Sequence, residues 1–146
     1  MNKTGCCDGS KAVLFALLHA GQAVEERLER TLEPWGLSMA KMGALHHLAT
    51  AGGPIPLGQL ADRLSCVKSN VTQLVDRLEA DGLARRVPDP NDRRSVLAVI
   101  TDDGRARFDS AAAAQEQAER EILAGLGPEE RATFDSLLNK VLAGTG

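Results

Sequence analysis

Two adjacent arginines, Arg93 and Arg94, sit in the stretch DPNDRR at 89–94, a turn-rich segment directly before the alternating apolar run SVLAVIT. A guanidinium is always charged, and its planar fork of donors matches phosphate oxygens. On a protruding hairpin such a pair suits the narrow, strongly negative minor groove of double-stranded DNA. The flanking Asp89 and Asp92 could each hold a guanidinium in one direction through a bidentate hydrogen bond. The plainer reading is a loop ion pair with no ligand.

Upstream, the run KSNVTQLVDR at 68–77 carries a second set of groups suited to the same partner. Asn70 and Gln73 can present paired amide groups to adenine, and Lys68 and Arg77 can meet guanine or phosphate. Ser69 and Thr72 are short enough to reach phosphate without holding a helix away from it. Taken alone, this face could be an ordinary solvated helix surface.

Other chemistry finds less support. SCVK at 65–68 has the Ser-x-x-Lys spacing of serine acylases, but no S-D-N or K-T-G accompanies it. His46 and His47 are neighbours, so on a helix they point about 100° apart and cannot face one metal as an i, i+4 pair would. His19 lies on another segment. Cys6, Cys7 and Cys66 are an odd number without zinc-site spacing, which suits reduced thiols better than a disulfide framework. Cys6 and Cys7 fall in a Gly/Asp/Ser-rich leader, where exposure would make them oxidisable, and a Cys66 thiolate near a helix N-terminus would be stabilised by the helix dipole. These residues are the redox candidates. No enzyme, metal site or cofactor is expected.

The elements that must position the arginines and amides can be read from periodicity. From Ser10, apolar residues at 13, 14, 17, 18, 24, 28 and 32 trace a long helical stripe that Pro34 and Gly36 end. Ser38 is a candidate N-cap for a second helix with apolar positions 39, 42, 45 and 48, stopped by GGP at 52–54. Ile55 to Leu57 could form a very short strand before a third helix carrying Leu57, Leu60, Ala61 and Leu64 on one face. After SCV, a fourth helix from Lys68 places Val71, Leu74, Val75 and Leu78 at i, i+3, i+4 and i+7 and ends at Gly82. LARRV and SVLAVIT then read as two strands around the PDPNDRR loop. Thr101 caps a fifth helix, and Pro128 opens a sixth with Phe134, Leu137, Leu138 and Val141 as its stripe. Two short helices joined by a three-residue turn and followed by a two-stranded wing make a winged helix-turn-helix, whose second helix enters the DNA major groove. The expected fold class is therefore mostly α with a small antiparallel β-wing.

At 146 residues, with 43% hydrophobic and 25% charged side chains, the chain fits one globular domain rather than a disordered segment. Its net charge of −3 is unevenly spread: residues 1–33 carry −1, residues 34–101 carry +2 and residues 102–146 carry −4. An anionic partner would meet the middle of the chain. No run approaches the ~20 apolar residues of a membrane span and the N-terminus lacks an apolar signal core, so a cytoplasmic protein without a membrane partner is expected.

The segments PLGQLADRL at 56–64, VTQLVDRLEADGLARR at 71–86 and DPNDRRSVLAVITDDGRA at 89–106, with the flanking long helices, resemble the multiple-antibiotic-resistance regulators of bacteria, the MarR family. The D-x-x-D-R-R wing followed by a strand and T-x-x-G is the specific part. The resemblance implies a single domain over 1–146, with residues 38–101 as the DNA-binding region and 10–33 and 102–144 as dimerisation helices. It implies a homodimer on a pseudo-palindromic double-stranded DNA operator, usually repressing, and released by an effector. Effector pockets in the family lie between winged domain and dimerisation helices. Trp35, Met39, Met42 and His46, joined by His19, are then the candidates for a small apolar or aromatic effector, with a histidine to bind a carboxylate or phenol; all five could equally be core. The chain departs from the family at Val67, where many members have a serine capping the recognition helix, so Ser65 or Ser69 would have to serve. Cys66 holds a turn position that is commonly apolar in the family, which favours a buried structural thiol. The alternative function is a winged-helix protein interaction module, which would have no need of paired arginines.

Overall fold

The computed structural model describes residues 9–65 and 68–146. The long stripe forms helix α1 (Gly9–Leu32), closed by a single 3-10 turn at Glu33–Trp35 that has Pro34 in its first turn and Gly36 left-handed at φ 64°. Helix α2 (Met39–Thr50) begins where the sequence places its cap: the Ser38 hydroxyl accepts from the Lys41 amide at 3.2 Å. Strand β1 (Ile55–Pro56), α3 (Leu57–Arg63), α4 (Lys68–Ala80), β2 (Ala84–Pro88), β3 (Val96–Ile100), α5 (Asp102–Ile122) and α6 (Pro128–Ala143) follow in order.

The wing is larger than a hairpin. β2 and β3 pair antiparallel from Ala84↔Ile100 to Pro88↔Val96, and β1 joins the other side of β3 through Ile55↔Ala98 and Pro56↔Leu97, giving the order β1-β3-β2. Pro56 and Pro88 both lie on edge strands, where a missing backbone donor is tolerated. The third strand ties the wing to the segment between α2 and α3, anchoring the hairpin at the middle of β3.

The core of this region is built from the stripes read in the sequence. Leu45 and Leu48 of α2, Leu60 of α3, and Val71, Val75 and Leu78 of α4 are at most 2% exposed and meet Leu83 and Ala98 of the wing. Each large aliphatic side chain removed from water in this way contributes about 1.5–3 kcal/mol. Helix α4 ends as expected, with Gly82 at φ 73° and the Leu83 amide donating to the Leu78 carbonyl at 2.8 Å.

The junction between the wing and α5 explains the T-x-x-G run. The Thr101 hydroxyl donates to the Gly82 carbonyl at 2.7 Å and accepts from the Gly104 amide at 3.0 Å, while the Thr101 amide donates to the Leu83 carbonyl. A Cβ on Gly104 would stand 2.0 Å from the Leu83 carbonyl oxygen, so only glycine fits.

The two terminal helices have little of their apolar surface covered. Leu32 at the end of α1 is fully buried, but Phe15 is 70% exposed and Val13, Leu14 and Leu18 are also exposed. On α6, Phe134, Leu137, Val141 and Leu142 face solvent, and an apolar groove of about 400 Å³ runs between α1, α5 and α6. The Arg27–Glu121 ion pair at 2.6 Å links α1 to α5. Among the described residues no helix is long and apolar enough to cross a membrane.

Candidate nucleic-acid interface

Helix α4 separates its faces cleanly. Val71, Val75 and Leu78 are fully buried, while Asn70, Thr72, Gln73 and Arg77 are exposed on the opposite side. Asn70, Gln73 and Arg77, spaced i, i+3 and i+7, line one groove of about 350 Å³ together with Ala40, Leu64 and Leu74. Thr72 lies toward the wing, and its carbonyl accepts from Arg86 at 3.1 Å. The turn from α3 bends at Ser65, the one non-glycine among the described residues with positive φ, at 52°. The backbone of α4 begins at Lys68 as expected. The side chains of Lys68 and Ser69, and Cys6, Cys7, Cys66 and Val67, lie outside the described residues.

The tip of the wing holds Arg93 and Arg94, both exposed. The expected carboxylate clamp takes a different form. Asp89 accepts from the Asn91 amide at 2.8 Å and Asp92 from the Arg94 amide at 2.9 Å, so each aspartate folds back on its own backbone. The Ser95 amide donates to the Asp92 carbonyl at 3.0 Å, completing the turn. Among the described residues neither arginine side chain forms an ion pair. Aspartates two residues from the next amide favour this local bond over a flexible guanidinium. The acids therefore shape the backbone of the tip and leave both positive charges uncompensated by direct pairing.

The residue that sequence reasoning missed is Arg86, in the middle of β2. Its guanidinium reaches Asp76 at 2.6 Å and Glu79, both on α4, while its own amide donates to Glu79 at 2.8 Å. Partial burial alone would lower the guanidinium pKa, but the hydrogen bonds to Asp76 and Glu79, with their charges, outweigh it and hold the group above its ordinary value. The i, i+3 spacing of Asp76 and Glu79 was the available signal, since it sets two carboxylates on one helical face with no basic residue three or four positions away on that helix. A second ion pair, Lys41 to Asp81 at 2.7 Å, fastens the turn after α4 to α2.

The proposed effector residues are only partly brought together. Met39, Met42 and His46 of α2 face Phe108 and Ala112 of α5 across a cleft of about 340 Å³. The imidazole of His46 lies 6.0 Å from the Phe108 ring and 5.3 Å, edge-on, from that of His47. Burial, then His46, then Arg63 push the His47 pKa below its usual value. Trp35 packs against the core instead of lining the cleft, and its carbonyl accepts from Arg107 at 3.3 Å. His19 sits on α1 beside Phe15, Leu18 and Gln22, away from this cleft, because the helical stripe places it on a different surface. The cleft also includes residues not anticipated from sequence, Gln115, Glu116 and Glu119 of α5.

Comparison with known proteins agrees with this geometry. A family model described as the MarR family matches residues 35–95. The chain is 34% identical over 121 residues to the HTH-type transcriptional regulator YkoM of Bacillus subtilis, covering 83% of this chain and 78% of that one. It is 31% identical over 122 residues to the multiple antibiotic resistance protein MarR of Salmonella typhimurium, covering 83% and 84%. Among solved structures, a mutant MarR from E. coli complexed with operator DNA superposes with a TM-score of 0.81 at 28% identity, covering 93% of this chain and 98% of that one. These relatives are regulators, not enzymes, and the winged architecture is shared with the solved ones. The chain belongs to the MarR family of transcriptional regulators.

Proposed function

We propose that this regulator binds a pseudo-palindromic DNA operator as a homodimer and represses by occupying the promoter. The observation that carries the reading is the wing tip, where Arg93 and Arg94 project with their neighbouring carboxylates engaged by backbone amides. Residues 38–101 act as the DNA-binding region. Lys68, Ser69, Asn70, Thr72, Gln73 and Arg77 meet the major groove, and Arg93 and Arg94 meet the minor groove on a tip oriented by Asp89 and Asp92. Residues 10–33 and 102–144 supply the dimer interface, which the exposed apolar faces of α1 and α6 support, since an isolated soluble chain rarely leaves so much large aliphatic surface in water.

In this reading the cleft holding Met39, Met42 and His46 is the effector site. It lies between α2, within the DNA-binding region, and α5, one of the dimerisation helices. A ligand there alters the separation of the two α4 helices, and a helix-turn-helix dimer tolerates little change from half-sites about 34–36 Å apart. Oxidation at Cys6, Cys7 or Cys66 is the alternative trigger. Sedimentation and fluorescence anisotropy on the DNA upstream of the gene test the proposal: it requires a dimer, tight and salt-dependent binding, and weaker binding to unrelated DNA. A monomer, or affinity independent of both salt and sequence, contradicts it.

A further inference from the structure

We infer that the cleft between α2 and α5 takes an organic cation with an aromatic or apolar body. The inference rests on reading this cleft as the effector site and adds the charge class of the ligand.

The apolar side of the cleft is Met39, Met42 and Phe108, polarisable surfaces that attract a cation lying over the ring or against sulfur. Its polar side is Glu116 and Glu119, i, i+3 on α5, beside Gln115. Among the described residues no lysine or arginine lines it. The cations that α2 and α5 carry are engaged elsewhere: Lys41 on Asp81, Arg105 on the Ala49 carbonyl and Arg107 on the Trp35 carbonyl. Arg120 bonds Gln117 and forms a long, exposed ion pair with Glu116 at 4.0 Å, and Glu119 has no ion-pair partner among the described residues. Among the described residues an anion would meet two like charges and find only the His46 imidazole and the Gln115 amide as side-chain donors. This reverses the expectation, drawn from the histidine alone, of a carboxylate or phenol. The volume of about 340 Å³ fits a bicyclic aromatic with a compact ammonium head.

The test uses three probes of one shape, naphthylmethyl-trimethylammonium, naphthalenemethanol and naphthoate, on the full chain. Calorimetry measures binding, and anisotropy measures release of the upstream DNA. The ammonium compound is expected to bind about tenfold more tightly than naphthoate and to release DNA at the lowest concentration. The double variant Glu116→Gln/Glu119→Gln, altered at exposed positions of α5, is expected to lose about fivefold to tenfold for the ammonium compound alone. The variant Ala112→Leu, which fills the cleft, is expected to weaken all three. Binding and release led by the neutral or anionic probe, or a cation preference that survives the double variant, overturns this inference and leaves the effector reading standing. Failure of all three to bind, or binding that Ala112→Leu leaves unchanged, overturns both.

Discussion

Replacing Arg86 with alanine removes a largely covered side chain that joins the wing to α4. The side chain is 24% exposed and holds two carboxylates and one helix carbonyl. The pair with Asp76, itself 59% exposed, is screened and is worth a few tenths of a kcal/mol. The pair with Glu79, 35% exposed, and the bond to the Thr72 carbonyl contribute about 1–1.5 kcal/mol more. The loss is thus about 1.5 kcal/mol, which in a chain of 146 residues lowers Tm by roughly 3–6 °C. Thermal unfolding at fixed protomer concentration reads that shift, and a double-mutant cycle with Glu79→Gln should return a coupling of about 1 kcal/mol. DNA affinity should also fall, because the wing loses its fastening to α4, yet the dependence of affinity on salt should keep its slope. An unchanged Tm, or a slope reduced as for a lost phosphate contact, would show that Arg86 serves the ligand and not the fold.

Three further outcomes follow from other sites. Gly104→Ala forces a Cβ to within 2.0 Å of a backbone oxygen and should cost about 3 kcal/mol or more, read as a large drop in the denaturant midpoint with little change in slope. Asn70→Ala or Gln73→Ala should each cost roughly 1–3 kcal/mol at particular base pairs and relax preference there, which a panel of operator point variants would reveal. His47 has a depressed pKa in the folded chain, so the unfolded chain takes up the proton first. Its contribution to stability is full above the ordinary imidazole value of 6.5 and is lost as pH falls through the lowered folded value, and His47→Asn should flatten that acid-side decline in denaturant midpoints measured from pH 7.5 to about pH 5.

What could be read in the sequence was local. Ser38 and Thr101 announce their helices because a cap bonds an amide three residues on, and Gly82 announces the end of α4 because the left-handed turn favours glycine. The two faces of α4 follow from helical spacing alone. What escaped depended on distant segments meeting. The two residues of β1 carry too little periodicity to reveal their pairing with β3, and Arg86 looks like any strand arginine until Asp76 and Glu79 stand beside it. The charge of the wing aspartates points to the neighbouring arginines, whereas their short side chains select the nearest backbone amide. Glu116 and Glu119 belong to a polar helix surface in the sequence and to a cleft only when α5 crosses α2.

The central claim is that the wing tip grips DNA. Substituting both tip arginines, Arg93→Ala/Arg94→Ala, tests it in one titration of operator DNA across salt concentrations. Each arginine occurs twice in a dimer, so for every one that neutralises a phosphate the log–log salt slope should shrink by about 1.8, with affinity falling and the unfolding temperature unchanged. A double variant that keeps both the affinity and the slope of the original chain would contradict the account.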